Sequence, residues 1–360
     1  MHLPTARHEY LLREVELRGS VRSAEAAAAL GVAEVTIRRD IVELDRAGRL
    51  ARVHGGAVTV RSAREPQAAR VLVGVVVPSS TVHFPPLVRG MEALAPSLHV
   101  RLVLGVSQYR PEVEAAQVDR LVGLGVQGIV VAPTTRDRSP EELAAWLRSV
   151  PVPVVVVERR VDGLTALSEL DQVRSDHAHG AVLAVEHLAR LGHRRIGLAV
   201  YDRTPTAPHV REGFATAVAR LGVEPGPDVS LPKGEGDPAG LERELSAFLD
   251  RCRDTGTRAV LVHTDDHAAR LVEAALDRGL RVPEDLAVVA YDDENAELAV
   301  VPLTTVTPPR RELGREALRV LVGRIVGDEG GEVPGAHGSP RHVALLPRLT
   351  VRGSCGAAAP

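Results

Sequence analysis

The chain has 360 residues, of which 44% are hydrophobic and 25% are charged, with a formal net charge of −3. This is the balance of an ordinary globular protein, and the length predicts two or three domains. No apolar run approaches the ~20 residues that cross a bilayer, the charged N-terminus lacks the apolar stretch of a secretory signal, and Cys252 and Cys355 form no motif, so we expect a cytoplasmic protein.

Positive charge is concentrated near the N-terminus. Residues 1–70 contain 12 arginines and 9 acidic residues, a net of +3, whereas the other 290 residues carry a net of −6. This asymmetry is typical of an added module with a polyanionic partner. A charged run can also be no more than a solvated face, so charge alone does not decide the function.

The N-terminal part contains three successive helical patterns. The first has an apolar stripe through Leu11 and Val15. The second begins at Ser23, a favourable N-cap, and ends at Gly31, a residue that suits the left-handed turn closing a helix. The third is predicted over about residues 33–47. Two helices joined by such a short turn indicate a helix-turn-helix.

The third helix has one apolar and one basic face. Ile37, Ile41 and Leu44 recur at i, i+4 and i+7 and therefore share a buried face. The opposite face and its flanks carry the residues predicted to contact DNA, which are Val35, Thr36, Arg38 and Arg39. An arginine fork can bind guanine or a phosphate, and a valine can contact a thymine methyl group. The alternative is a surface helix with solvated arginines.

A short hairpin follows this helix. The segment "GRLARVHGGAV" alternates polar and apolar residues and then reaches Gly-Gly, which is typical of two short strands. As a wing beside the helix, the hairpin is expected to contact DNA phosphates through Arg49, Arg52 and His54.

Residues 6–57 resemble the DeoR-type winged helix-turn-helix, through the motifs "LGVA", "TIRRD" and "HGGA". The resemblance implies binding to double-stranded operator DNA. Ala33 stands where that family usually has an N-capping serine, and the loss of such a cap costs roughly 1 kcal/mol. We interpret Asp40 as structural, holding a nearby arginine.

The pattern changes at residue 71, after a predicted linker at 58–70. The predicted strands are 71–77, 100–104, 127–132, 152–157, 195–200, 258–263 and 286–291, and the helical patterns are 111–124, 175–192, 207–221, 239–253, 265–279 and 309–326. Strands that are apolar on both faces and alternate with helices predict an α/β fold with two parallel sheets, hence two lobes. Ligands then bind beyond the carboxyl ends of the strands, in the cleft between the lobes.

Residues 71–354 resemble the effector domain of the LacI/GalR family, itself similar to periplasmic sugar-binding proteins, through motifs that include "VVVVERRVDGL", "VREGF" and "LVHTDDHAARLVEAALDRG". The resemblance implies a lobe 1 at about 71–158 and 307–327, and a lobe 2 at about 172–291 with the C-terminal segment. It also implies a set of effector-binding residues, namely Ser79, Ser80, Phe84, Glu158, Asp176, Arg211, Thr264, Asp265 and Asp292.

Several of these residues have a second interpretation. Arg211 and Asp292 either grip neighbouring hydroxyls together or form a structural ion pair. Phe84 is expected to supply an apolar wall. Thr264 stands where relatives often carry asparagine, and Asp265 is alternatively a helix cap.

The remaining motifs of the sequence do not indicate a cofactor, metal or catalytic site. "GLGVQG" at 123–128 fits a dinucleotide motif, but it follows a helix and precedes a strand, the reverse of what that loop needs. His263 and His267 have a metal-ligand spacing, which we assign to a strand-to-helix junction; for His263, a place in the lining of the cleft is the alternative. His83, His177 and His209 fall near loops expected to face the cleft, and we interpret them as surface residues, with hydrogen bonds to effector hydroxyls as the alternative. We predict no catalytic residue, no metal site and no cofactor.

The combined prediction is an effector-responsive transcriptional repressor that acts as a homodimer and does not contact a membrane. It binds operator DNA through the winged helix and a sugar or nucleoside-like effector between its lobes. A solute-binding receptor and a sugar-acting α/β enzyme are the alternatives. The basic module argues against the receptor, and the lack of a phosphate loop or a catalytic constellation in the sequence argues against the enzyme.

Overall fold

The computed structural model describes residues 4–18, 20–53, 55–58, 71–81, 83–160, 168–234, 236–327 and 338–357. The chain folds as two compact units, Met1–Arg70 and Val71–Pro360. The boundary falls where the first long apolar strand begins. His54 and residues 59–70 of the predicted linker lie outside the described residues.

The first unit combines short helices with short strands. Its described elements are α1 (Pro4–Arg18), β1 (Ser20–Arg22), α2 (Ser23–Leu30), α3 (Glu34–Arg46), β2 (Ala51–Val53) and β3 (Gly56–Val58). The strands form an antiparallel sheet in the order β1-β3-β2. The predicted hairpin is confirmed as β2 and β3. Strand β1 was not predicted, because so short a segment shows no visible alternation.

The core of this unit lies on the apolar face of α3. Ile37, Ile41 and Leu44 are buried, as predicted, and pack with Leu11 and Leu50. Burying an aliphatic side chain of this size contributes about 1.5–3 kcal/mol. The same periodicity that buries these residues therefore leaves the opposite face of α3 to the solvent.

The predicted end of α2 agrees with the structure, but its predicted beginning does not. Gly31 closes the helix with a left-handed φ of 61°, as predicted. Ser23 is the first helical residue rather than the N-cap, because Arg22 of β1 occupies that position. The N–H of Ser23 donates to the carbonyl oxygen of Gly55 at 2.9 Å. A backbone group of the hairpin, rather than a side chain, thus satisfies this helix end.

The second unit alternates strands and helices. In chain order these are β4 (Val71–Val77), α4 (Pro85–Leu94), β5 (Val100–Val106), α5 (Pro111–Gly123), β6 (Gly128–Val131), α6 (Pro140–Ser149), β7 (Val154–Val157), β8 (Asp171–Ser175), α7 (His177–Arg190), β9 (Arg195–Val200), α8 (Ala207–Leu221), β10 (Glu224–Ser230), α9 (Pro238–Asp254), β11 (Ala259–His263), α10 (Asp265–Asp277), β12 (Ala287–Tyr291), β13 (Thr304–Thr307), α11 (Arg310–Val326), β14 (His342–Leu345) and β15 (Arg348–Thr350). Within the described ranges, no helix is both long enough and apolar enough to cross a membrane.

Two six-stranded sheets define two lobes. Lobe 1 has the strand order β14-β8-β7-β6-β4-β5 and is parallel throughout. Lobe 2 has the order β10-β9-β11-β12-β13-β15 and is parallel except for β15 at its edge. Strands such as β6 and β7 are buried along their whole length, which is why their sequences are apolar on both faces. The prediction of two parallel sheets is confirmed.

The lobe boundaries differ from the predicted ones. Residues 172–175 were assigned to lobe 2, but the strand that contains them, β8, pairs with β7 in lobe 1. Asp171, at the start of β8, accepts from Arg324 of α11 at 2.6 and 2.8 Å. The C-terminal segment divides between the lobes, with β14 in lobe 1 and β15 in lobe 2. The chain therefore crosses between lobes at three places, after β8, after β13 and after β14.

Candidate functional site

The solvent side of α3 is the first candidate surface. Val35 is 71% exposed, Arg38 and Arg39 are exposed, and Thr36 is half-buried. The helix begins after Ala33, which makes no side-chain capping bond, as its identity predicts. The four residues predicted to contact DNA thus lie away from the core of the unit.

The two arginines of this surface differ in their surroundings. Arg38 donates to the Oε1 atom of Glu34, one turn earlier, from Nη2 at 2.7 Å and from Nε at 3.1 Å. An exposed pair of this kind contributes little stability, so Arg38 can exchange Glu34 for another acceptor. Arg39 has no hydrogen-bond or ion-pair partner among the described residues. Arg39 is therefore the more available cation.

Asp40 lies next to Arg39 but faces the interior. Arg7 of α1 donates to both carboxylate oxygens, from Nε to Oδ2 at 2.7 Å and from Nη2 to Oδ1 at 2.9 Å. The hydrogen bond with Asp40 raises the pKa of Arg7. The predicted structural role of Asp40 is confirmed. The pair joins α1 to α3 and so fixes the direction in which the basic face points.

The predicted wing supplies further basic residues. Arg49, in the turn after α3, and Arg52, on β2, are exposed. The N–H of Arg52 donates to Oδ1 of Asp45 at 3.1 Å, which ties β2 to the last turn of α3. His54, the third predicted wing residue, lies outside the described residues. The hairpin and α3 therefore form one connected basic surface.

The second candidate site is the cleft between the lobes of the second unit. Loops at the carboxyl ends of β4, β7 and β12 contribute residues with a left-handed backbone, namely His83 (φ 68°), Glu158 (φ 51°) and Asp292 (φ 103°). Non-glycine residues in this region are strained, and such strain concentrates at functional sites. The cleft is therefore the part of this unit with the clearest local signs of a binding site.

The loop after β4 contains three of the predicted effector-binding residues. Oγ of Ser79 accepts from the N–H of Thr81 at 3.2 Å, and Ser80 is exposed. Phe84 is only 1% exposed and packs with Leu87 in the core of lobe 1. The predicted apolar wall is therefore not formed by Phe84, because its ring serves the core of the lobe.

Glu158 joins the lobes near the first crossing. Its buried carboxylate accepts from the N–H of Ser175 at 3.2 Å and from the Oγ of Ser175 at 2.9 Å. Nε2 of His177, in lobe 2, lies 3.6 Å from its Oε2 atom. Burial alone would raise the pKa of Glu158, but His177 and the backbone of Ser175 hold that pKa well below its ordinary value. We therefore treat Glu158 as ionised.

Asp176 lies at the same crossing. Its side chain accepts from the N–H of His179 at 3.0 Å and caps α7. A small cavity beside it is lined from both lobes, by Glu158, Arg160, Arg174, Ser175, His177, Pro205, Thr206 and His209. Across this cavity, Arg160 of lobe 1 donates to Glu212 of lobe 2 at 2.8 Å.

Asp292 forms a second junction between the lobes. Arg310, the first residue of α11, donates to its Oδ1 at 3.0 Å and to its backbone oxygen at 2.6 Å. Nδ1 of His83 lies 3.3 Å from Oε1 of Glu294 and 3.0 Å from Nη2 of Arg310. Burial would raise the pKa of Asp292, but the charge of Arg310 and smaller contributions from neighbouring histidines together outweigh it, so the pKa is lowered.

Arg211, on α8, does not reach Asp292. Its Nε and Nη2 donate to Asp202 at 3.0 and 3.2 Å, its Nη1 donates to both oxygens of Asp228 at 2.5 and 2.6 Å, and its Nη2 also donates to Ser230 at 3.1 Å. Arg211 and Asp292 therefore do not bond to each other, and each forms an ion pair of its own. Their role in binding the hydroxyls of an effector stays a prediction.

Thr264 and Asp265 lie at the start of α10. Thr264 occupies the N-cap position without a side-chain capping bond. Asp265 is 3% exposed and is not a cap either, because its carboxylate accepts from the N–H of Glu294 at 2.6 Å and from Oγ1 of Thr305 at 2.8 Å. Burial, followed by the charge of Asp292, raises the pKa of Asp265 to about 7. Asp265 thus supports the loop that carries Asp292.

Some cleft residues were missed or misjudged from the sequence. His83 and His177 were interpreted as surface residues, but both contact carboxylates in the cleft. Arg310 was predicted only as part of a helix. Its position directly after Pro-Pro, in a segment that crosses between the lobes, is the sequence feature that could have indicated a place in the cleft. His263 is buried at the end of β11, and its Nδ1 has no hydrogen-bond partner among the described residues. Burial lowers the pKa of His263 to about 4, so its ring is neutral at pH 7.

Comparison with known proteins agrees with this division into two parts. Residues 7–63 match the DeoR-like helix-turn-helix domain, and residues 185–355 match the periplasmic binding protein-like domain. A helix-turn-helix unit whose second helix exposes two arginines, joined to a two-lobed binding unit, defines the class of ligand-responsive transcriptional regulators.

Individual relatives identify the family. The chain is 30% identical over 362 residues to the HTH-type transcriptional regulator MalR of Streptomyces coelicolor, covering 94% of this chain and 98% of that one. It is 27% identical over 297 residues to the arabinose metabolism transcriptional repressor of Geobacillus stearothermophilus, covering 80% and 79%. A lac repressor dimer bound to operator and the anti-inducer ONPF has the same fold, with a TM-score of 0.65 at 22% identity over 82% of this chain and 97% of that one. The chain belongs to the LacI family of transcriptional regulators, and these relatives are not enzymes.

Proposed function

We propose that this protein is an effector-responsive repressor. It binds double-stranded operator DNA through α3 and the wing, and it binds a small polar effector between the lobes of its second unit. We place it in the cytoplasm and as a homodimer. The observation that carries the proposal is the basic, exposed face of α3 opposite a buried apolar face.

The geometry of α3 suits the major groove. Val35 and Arg39 face the solvent, and the ion pair of Asp40 with Arg7 holds the helix on α1. A free guanidinium can form two bonds with guanine, and an exposed valine can contact a thymine methyl group. Arg49 and Arg52 then contribute phosphate contacts, which position the unit without reading sequence.

A homodimer follows from the size of the recognition surface. One helix-turn-helix reads a single half-site, and dimers place two recognition helices ~34 Å apart, one turn of the duplex. The lac repressor that shares this fold is a dimer bound to operator. We therefore expect a palindromic operator.

The cleft suits a ligand with hydroxyl groups. Its described side chains are mostly charged or imidazole groups, and aromatic residues make up only 2% of the chain, so few rings are available for stacking. A sugar or nucleoside-like effector fits this chemistry, and one relative is named for arabinose metabolism. An effector changes DNA binding only if it prefers one arrangement of the lobes to the other.

A gel-shift assay tests the proposal. Full-length protein is mixed with DNA from upstream of its own gene, across a panel of sugars and nucleosides and at several salt concentrations. Affinity should fall steeply with salt, because phosphate contacts release counterions. Arg39→Ala should weaken specific binding about 10- to 100-fold and retain the effector response. Arg243→Ala, on the exposed side of α9, is the matched control.

Two outcomes would contradict the proposal. One is a full-length protein that ignores duplex DNA at low ionic strength. The other is an Arg39→Ala variant that binds DNA as well as Arg243→Ala does. A protein that binds sugars but not DNA would instead favour the solute-receptor alternative.

A further inference from the structure

An open cavity of about 290 Å³ is lined by two arginines, Arg136 and Arg203. Arg136 lies in the loop after β6 of lobe 1, and Arg203 lies in the loop after β9 of lobe 2. Both loops follow the carboxyl ends of parallel strands, the edge at which open α/β sheets bind ligands. One space therefore receives a positive charge from each lobe.

Neither arginine has a counter-ion in the described part of the chain. Both are exposed, and neither forms an ion pair or a hydrogen bond there. The carboxylate next to Arg203 in sequence, that of Asp202, is held by Arg211 at 3.0 Å. Two like charges that share a cavity repel each other, and an anion bound between them is attracted to both and outweighs that repulsion.

A third arginine lies in the wall of lobe 1, where the carboxylates of Glu158 and Glu114 partly balance its charge. Arg159 is 6% exposed, and its Nε and Nη1 donate to the carbonyl oxygens of Pro133 and Glu158, at 2.8 and 2.7 Å, rather than to a carboxylate. Tyr109 lies near Arg159 and Arg136. Burial raises the pKa of Tyr109, and the charges of these two arginines act against that rise.

Arg211 is not free to serve the same purpose. Its Nε, Nη1 and Nη2 atoms all donate to acceptors of lobe 2, namely Asp202, Asp228 and Ser230. The uncompensated positive charge of the cleft therefore belongs to Arg136 and Arg203.

We propose that the effector carries an anionic group, a phosphate ester or a carboxylate, which Arg136 and Arg203 bind from opposite lobes. A guanidinium forms paired, charge-assisted hydrogen bonds with either group. Because each lobe supplies one arginine, the anion favours the arrangement in which both reach it. The proposal rests on the proposed function only in placing the effector between the lobes.

The experiment is isothermal titration calorimetry on the full-length protein. The probes are several hexoses and pentoses, each as the neutral sugar, the phosphate ester and the sugar acid. Inorganic phosphate, compared with sodium chloride at equal ionic strength in a thermal-shift assay, is the minimal probe. We expect phosphate, but not chloride, to raise the midpoint, and at least one anionic sugar to bind more tightly than its neutral form.

Variants test the two arginines directly. Arg136→Gln and Arg203→Gln should each weaken the anionic sugar about tenfold or more, whereas Arg243→Gln, outside the cavity lining, should bind like the wild type. A phosphate ester that outcompetes the acid identifies phosphate as the group, and the reverse identifies carboxylate. Equal effects of phosphate and chloride, equal binding by wild type and both cavity variants, or a neutral sugar that binds more tightly than both of its anionic forms overturns the proposal.

Failure of the proposed function can be told apart from failure of this inference. Operator binding is measured without effector on the wild type and on Arg243→Gln, which should bind DNA alike. If neither of these proteins binds duplex DNA, the repressor function is lost, while the calorimetric comparison still decides whether the cavity takes an anion.

Discussion

Asp265→Asn is expected to stabilise the protein at neutral and alkaline pH and to have little effect near pH 4. The Asp265 carboxyl is buried, and burial together with the charge of Asp292 raises its pKa to about 7. An asparagine keeps one acceptor for the N–H of Glu294 and offers a donor to the hydroxyl of Thr305. It therefore mimics the protonated acid but never has to ionise.

The magnitude follows from the linkage between protonation and folding. The ordinary pKa is 3.8, and the folded pKa is about 7, so between these values the folded protein binds more protons than the unfolded chain. Stability then falls as the pH rises from about 4 to 7 and stays low above that. The whole difference corresponds to about 4 kcal/mol, which is the most that Asp265→Asn can restore.

Urea denaturation followed by circular dichroism at several pH values between 4 and 8 measures this effect. The free energy of unfolding of Asp265→Asn minus that of the wild type should grow across the range and level off above pH 7. Asp277→Asn, exposed at the end of the same helix, is the control and should track the wild type. A difference between Asp265→Asn and wild type that is independent of pH would refute the reasoning.

Two further predictions concern ion pairs. Asp40→Ala is expected to weaken operator binding and to lower the thermal midpoint of the first unit, because it removes the carboxylate that accepts two hydrogen bonds from Arg7 of α1; gel shifts and scanning calorimetry measure both, and exposed Glu43→Ala should change neither. Arg211→Ala is expected to keep operator binding and lower the thermal stability of the second unit at pH 7, because Asp202 and Asp228 lose their shared cation. Burial would raise the pKa of Asp202, but its hydrogen bonds with Arg211 and Ser230 lower it. The ion pair of Asp202 with Arg211 therefore stabilises the protein above pH ~4, and the destabilisation caused by Arg211→Ala should shrink as the pH falls below that value. Thermal unfolding at pH 7 and pH 3.5 checks the sign.

The class of fold was visible in the sequence because buried parallel strands must be apolar on both faces. Strands β6 and β7 satisfy this requirement with local composition alone. Strand β8, "DQVRS", does not. Its place is set by pairing with β7 and by the bonds of Asp171 to Arg324, which lie far apart in sequence. A local pattern contains no information about such partners.

The two candidate sites also differ in how much of each could be predicted from the sequence. On α3, helical periodicity alone separates exposed Arg39 from buried Asp40, so the exposed face of this helix was predicted residue by residue. In the cleft, the motifs located the loops but not the pairings. Asp292 bonds to Arg310 and Arg211 bonds to Asp228, and which carboxylate meets which arginine depends on side-chain positions that only the folded chain defines.

The charges of the cleft also bear on which effector can act there. A neutral polyol that displaced Arg310 from Oδ1 of Asp292 would separate a buried ion pair, which costs about 3–5 kcal/mol, whereas a hydroxyl that donated to Oδ2 would leave this pair in place. An anion that binds Arg136 and Arg203 separates no ion pair, because neither arginine has a counter-ion in the described part of the chain. The anion can also leave the junction of Glu158 with His177 in place. Compared with a polyol that displaces Arg310 from Asp292, an anionic effector therefore changes the balance between lobe arrangements at the lower cost.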